Sequence, residues 1–200
     1  MPKFTATEKE QIRQGMLKTA HQCFIAKGLK NTSIDEITSS VSIAKSSFYA
    51  FFESKEMLYF ELLALEGEDI EKRVWPKVEK EQDIRNAIKV FLHAMSSALE
   101  ANVLTKRLIT NLDEYNMASR KIDSQYSART TLRSIVPLLE FIKKHQERET
   151  IIQEEVDVIA GVIRACLAMI IHKKDLGEEI YPKVQEIIFN AVANELASKK

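Results

Sequence analysis

An all-α fold is predicted, with a small three-helix head at the N-terminus and a larger helical body behind it. Three observations predict it. Apolar residues recur at three- and four-residue spacing along most of the chain, with no strand-like alternation of useful length. Only 5 glycines and 4 prolines interrupt 200 residues. Threonine or serine followed three positions later by glutamate stands ahead of apolar runs, which marks helix starts.

The elements follow in order. Thr7 with Glu10 makes a capping box, and Ile12, Met16, Ala20 and Phe24 then give one apolar stripe at i+4 spacing. Gly28 ends this helix as a left-handed residue, with Leu29 folding back on the last turn. Ser33 with Glu36 opens a short second helix, and Thr32 could share the capping role; Ile34 and Ile37 face inward and Val41 marks the turn. Lys45 to Phe51 reads as the next short helix. Steps of 100° put Phe48 and Phe52 on one side with Ala44, and Ser46, Ser47, Tyr49 and Ala50 on the other. Ser54 caps a longer helix that Pro76 terminates. Phe24, Ile34, Ile37, Ile43, Phe48 and Phe52 form the head's small core, supplemented by Leu58 and Leu62. The head therefore takes residues 1–53 and the body 54–200, with the helix at about 54–75 connecting them.

In the body, residues 83–101 read as an amphipathic helix carrying Ile84, Ile88, Phe91, Leu92, Met95 and Leu99. A shorter helix around 103–117 follows, then a long one from about Asp123 to Arg148 with Pro137 inside it. The last two run near 154–174 and 179–198, with Pro182 in the first turn of the final one, where proline is tolerated.

Composition excludes several classes. Basic and acidic residues balance at 29 each, so no overall basic field advertises a nucleic-acid partner. Residues 1–56 nevertheless hold eight Lys/Arg against six Asp/Glu, a surplus of two. Cys23 and Cys166 follow no metal or redox spacing and read as buried thiols of a reducing compartment. The opening MPKFTATEKE has no apolar stretch of the signal-peptide kind. The longest apolar run, 158–171, is too short for a membrane span and is interrupted by Arg164. A cytoplasmic protein without membrane contact is expected. His21, His93, His145 and His172 are scattered, so no metal site is expected, and His172 with Lys173 and Lys174 complements a helix C-terminus. No phosphate loop, nucleophile elbow or acid/base carboxylate pair stands out, so neither an enzyme nor a cofactor is expected.

The segment from Ser33 to Glu56 is two very short helices, a tight turn between them, and the start of a longer helix. That arrangement suits a helix-turn-helix that places one short helix in the major groove of DNA. Residues 7–62 resemble the DNA-binding head of the tetracycline-repressor (TetR) family of bacterial transcription regulators. The resemblance rests on CFIAKGL, NTSIDEI, the recognition segment AKSSFYAFF and the immediately following SKEMLYFELL, in that order. It implies that Ser46, Ser47 and Ala50 approach base edges and that the Tyr49 hydroxyl meets a phosphate. Lys45 and Lys55 would supply charge, Thr32 or Ser33 would clamp the backbone from the second helix, and Phe51 would contact a thymine methyl or pack. The chain departs from the family pattern at Ser42, where glycine is usual, at Ala44, where a capping hydroxyl is common, and at Ser46, often glycine.

The helix at 156–171 is apolar almost all round, and Gly161, Ala165 and Ala168 make a small-residue strip along it. With Ile187, Ile188, Ala191, Val192 and Leu196 of the final helix it suggests a homodimer through four helices, two from each chain; alternatively both helices complete the intrachain core. Phe91, Met95, Leu99, Leu112, Tyr115, Met117, Tyr126, Leu138 and Phe141 could line a ligand cavity, with His93 or Arg164 as polar anchors, or serve as ordinary core. The expected protein is a homodimeric repressor on double-stranded operator DNA, released by a small apolar effector. The alternative is a helical binding or scaffold protein that keeps the head without DNA affinity.

Overall fold

The computed structural model describes residues 4–111, 116, 119–121 and 124–198, the side chains of 108–110 and 124–134 excepted. Its helices are α1 (Ala6–Asn31), α2 (Ile34–Ser39), α3 (Lys55–Val78), α4 (Ile84–Ala101), α5 (Val103–Thr110), α6 (Ser124–Glu147), α7 (Val156–Ala168), α8 (Lys173–Leu176) and α9 (Tyr181–Leu196). Tight 3-10 turns occupy Lys45–Ala50 and Met169–His172. Among the described residues the one β contact is an isolated bridge between Ile151 and Ala197.

Several boundaries differ from expectation for local reasons. The capping box of α1 is Thr5 with Glu8, not Thr7 with Glu10: the Glu8 N–H donates to Thr5 Oγ1 at 3.2 Å and the Thr5 N–H to Glu8 Oε2 at 2.7 Å. Both pairs have the same spacing, and the earlier one adds two residues, about half a turn, to the helix. Gly28 breaks α1 at φ 81°, a backbone angle that costs a side-chain-bearing residue dearly, and Leu29 behind it is buried, as expected. Ser33 caps α2 through its hydroxyl, and Ser54 caps α3 by accepting the Met57 N–H at 3.0 Å. Pro76 does not end α3, which runs on to Val78. In the last turn a proline removes only its own N–H, and the buried Val78 keeps the helix on the core. The segment Lys45–Ala50 is a 3-10 rather than an α-helix; six residues headed by an uncapped Ala44 close through tight i→i−3 bonds such as Phe51 N–H to the Phe48 carbonyl at 2.9 Å.

The chain divides into two units, Met1–Glu66 with Val103–Thr130, and Gly67–Asn102 with Thr131–Lys200. The expected boundary at 53/54 falls within the first unit. The first core joins Met16, Leu17, Ala20, Phe24 and Leu29 of α1 to Ile37, Phe48 and Phe52, then to Leu58, Tyr59 and Leu62 of α3 and Leu104 of α5. Ile34 and Ile43 pack against it half-buried. Gly15 lets α1 lie close to the turn after α2: a Cβ there would stand 2.4 Å from Val41 Cγ1. The second core gathers Ile70, Val74 and Val78 of α3, the inner face of α4 from Ile84 to Met95, Leu138 and Ile142 of α6, Ile159, Ala160 and Ile163 of α7, and Phe189, Ala193 and Leu196 of α9. Its end is tied down where Ile152 N–H donates to the Leu196 carbonyl and Ser198 N–H to the Thr150 carbonyl, each at 2.9 Å. No helix among the described residues is long and apolar enough to cross a membrane.

Candidate nucleic-acid interface

The Lys45–Ala50 turn is held from behind. Phe48 is completely buried and Phe52 nearly so, their rings 5.7 Å apart. Burying such a ring contributes about 1.5–3 kcal/mol, enough to fix the orientation of a six-residue segment that has no cap of its own. Phe24 meets Tyr59 edge to face at 5.2 Å beneath them, and the Arg13 guanidinium lies over the Phe52 ring at 5.4 Å while pairing with Glu61. With the phenylalanines inside, Ser46, Tyr49 and Ala50 are exposed and Ser47 is half-exposed. The Tyr49 ring stands outward at 58% exposure, braced edge-on against Phe48 at 5.5 Å. Small hydroxyl-bearing side chains flanked by one projecting phenol can approach base edges and reach a phosphate.

The turn that sets this segment carries Ser42 at φ 55°. Ser42 thus occupies the left-handed position that glycine usually fills, and strain of about 1–2 kcal/mol comes with it. Ile43 N–H donates to the Thr38 carbonyl at 3.2 Å, and Thr19 Oγ1 to Ser40 Oγ at 2.8 Å, closing the turn onto α1.

The expected contacts fare differently. Ser33 and Lys45 are both exposed, and Lys45 pairs with Asp35, two positions after Ser33. Thr32 is 2% exposed and donates to the Gly28 carbonyl at 2.7 Å, so its hydroxyl completes the break in α1 and is removed from the outward donors. Lys55 turns inward and donates to the Thr32 carbonyl at 2.5 Å, linking the end of α1 to the start of α3. Phe51 is half-buried against the head core, because a 3-10 turn brings residues three apart onto one face and so sends Phe51 after Phe48. Sequence reasoning missed Asp35 and Glu36 as participants. Lys45 Nζ lies 2.6 Å from Asp35 Oδ2, and Lys27 Nζ lies 2.5 Å from Glu36 Oε2. These pairs hold the Lys45 ammonium above its ordinary range and the Glu36 carboxyl below its own. The signal was present in two acids on the first turn of a helix flanked by lysines.

In the second unit Phe91 and Met95 are buried in the core, and Leu99 and Phe141 are half-buried against it. His93 is not an interior anchor: it pairs with Glu186 at 3.0 Å near the surface, its ring edge-on to Phe189. Arg164 is exposed. Leu112, Tyr115 and Met117 lie outside the described residues, as does the Tyr126 side chain. Trp75 is the residue that the sequence did not single out. Its ring packs between Phe91 at 5.0 Å and Phe141 at 5.5 Å, and among the described residues its buried Nε1–H finds no acceptor. Glu71, one turn earlier on α3, has its carboxyl pushed up to about 7 by burial and by neighbouring Glu68.

On α7, Gly161, Ala165 and Ala168 are exposed beside Val158 and Val162. On α9 the outward apolar residues are Ile187 and Ala191, whereas Ile188 and Val192 are half-buried and Leu196 is core. Leu196 is thus corrected from an interface residue to an interior one, because its backbone and side chain close the unit against Ile152 and its neighbours. Cys166 is buried and Cys23 half-buried; burial pushes both thiols up, away from reactivity. Among the described residues no three His, Cys, Asp or Glu side chains gather as metal ligands.

Residues 16–62 match the family model described as bacterial regulatory proteins, tetR family. Over 56 residues the chain is 39% identical to an uncharacterized HTH-type transcriptional regulator, YuxN, of Bacillus subtilis (strain 168); the match covers 28% of this chain and 18% of that protein. The fold is similar to that of RolR crystallised with the ligand resorcinol, at 16% identity and a TM-score of 0.68 over 98% of this chain and 92% of that one. It is also similar to a TetR family transcription regulator from Marinobacter aquaeolei VT8, at 15% identity and a TM-score of 0.62 over 98% and 100% of the two chains.

Proposed function

We propose that this chain, whose head belongs to the TetR family of bacterial regulatory proteins, is a cytoplasmic, dimeric, sequence-specific repressor of transcription that a small molecule releases from its operator. The observation that carries the reading is the 3-10 turn Lys45–Ala50, pinned by buried Phe48 and Phe52 so that Ser46, Tyr49 and Ala50 stand outward. A segment built only to complete a core has no need to present these side chains together. Two such turns, one per subunit, would enter successive major grooves about 34–36 Å apart. The exposed apolar strips on α7 and α9 supply the pairing surface, and two heads are what so small a reading surface needs for useful affinity.

RolR binds resorcinol. For this chain we carry over only the class, a small molecule held in the second unit, where Trp75 and Glu71 offer polar handles among apolar residues. Helices α3 and α6 each run from one unit into the other and are the natural carriers of its effect. Linkage then requires DNA to weaken effector binding by the same factor that effector weakens DNA binding.

The test is a footprint and gel shift with DNA from upstream of the chain's own gene. The reading requires a protected pseudo-palindrome whose affinity falls on Tyr49→Phe and on Ser47→Ala, by about 1–3 kcal/mol for a lost specific contact. No binding at all favours the scaffold alternative, and binding of equal strength to every sequence removes the sequence specificity from the reading. A thermal-shift screen against metabolites and drugs, followed by release from that footprint, identifies the effector.

A further inference from the structure

We infer that Asp35 sets the electrostatic strength of the interface by holding Lys45 away from the DNA backbone. The inference rests on the DNA-binding reading above. Lys45 opens the segment that faces DNA, and its Nζ lies 2.6 Å from Asp35 Oδ2 on the first turn of α2. Both side chains are more than half exposed, at 57% and 60%, so the pair contributes nothing to the core. A surface pair of this kind is worth little to stability. Its neighbour Glu36 holds Lys27 in the same manner. The first turn of α2 therefore places a carboxylate on the lysine that opens the outward segment.

A lysine that neutralises a phosphate releases a counterion, and each such contact adds about 0.9 to the slope of log affinity against log salt. Sequence-independent binding is made almost entirely of these contacts. An acid already seated on Lys45 removes one contact per head. Asp35 thus acts as a brake on backbone-driven binding. The protein is kept from being absorbed by the large excess of unrelated sites that a genome presents.

The experiment compares wild type, Asp35→Asn, Lys45→Gln and the double variant by fluorescence anisotropy. Each is titrated on the footprinted operator and on a scrambled duplex of equal length, from low to moderate salt. Asp35→Asn is expected to raise affinity for the scrambled duplex about five- to tenfold near ~0.1 M salt and to steepen the salt slope by about 0.9 per head. The gain must vanish in the Asp35→Asn/Lys45→Gln background. An unchanged or weakened Asp35→Asn overturns the inference, as does a gain that survives loss of Lys45. Wild type that binds neither duplex overturns the DNA-binding reading itself, a separate outcome. Far-UV circular dichroism on each variant checks that α2 is intact.

Discussion

Two residues carry strain or charge that a single substitution should relieve. Ser42 sits at φ 55°, and glycine tolerates that angle without the Cβ clash. Ser42→Gly also loosens the unfolded chain, which offsets part of the gain. The expected net is a stabilisation of about 0.5–1 kcal/mol, read as a higher denaturation midpoint. Glu71 gives a pH signature. Its folded-state carboxyl lies near 7, above the ordinary 4.5, so the folded form binds the proton more tightly than the unfolded form. The contribution of Glu71 to stability therefore falls as pH rises from about 4.5 through 7. Glu71→Gln should flatten this decline, giving an advantage of about 1 kcal/mol at pH ~8 that disappears near pH ~4–5, after allowance for solvent screening. Urea denaturation across that range checks it, and parallel curves for the two proteins would refute it.

At the scale of elements, one kind of substitution should act with opposite signs in two helices. Gly15→Ala gains about 1 kcal/mol of helix propensity but drives a methyl into Val41 Cγ1, at 2.4 Å. Overpacking of about 1–3 kcal/mol exceeds that gain, so the head should be destabilised by about 1 kcal/mol. In α3, a Cβ on Gly67 meets open space among the described residues, and Gly67→Ala should stabilise by about 0.5–1 kcal/mol. Thermal unfolding of both variants tests the pair. Helix existence was legible in the sequence because apolar periodicity is redundant, as in α4, where Ile84, Ile88, Phe91, Leu92 and Met95 are all buried. Register was less so: Thr5 with Glu8 and Thr7 with Glu10 both have the spacing of a capping box, and the structure forms the first. The 3-10 form of Lys45–Ala50 was not legible, since an α-turn and a 3-10 turn of six residues carry nearly the same pattern.

For the whole molecule, the outward half of the candidate interface was readable where one residue's direction follows from its neighbours, as Tyr49 follows from Phe48. It was not readable where the partner is distant in sequence. Lys55 meets Thr32 across 23 positions and Asp35 meets Lys45 across ten, and neither contact is encoded by helical spacing. The proposed pairing surface is testable at its exposed positions. Val162 and Ile187, at 38% and 60% exposure, are free to change without opening a core. Val162→Glu with Ile187→Glu should leave the chain folded and yield monomers in sedimentation velocity. A persisting dimer would locate the contact elsewhere.

Leu104 is completely buried in the core of the first unit, although 36 positions of chain assigned to the other unit, Gly67–Asn102, separate α5 from Glu66. A gene fragment ending at 66 would encode a head with a hole where that leucine belongs, at a cost of about 2–5 kcal/mol for a missing large aliphatic side chain. The N-terminal head is therefore not a detachable cassette. Grafting it onto another regulator's body would need three junctions, at 66/67, 102/103 and 130/131, with two of them inside helices. On the proposed function, new combinations of operator and effector should then arise by point substitution within one lineage more readily than by exchange of parts.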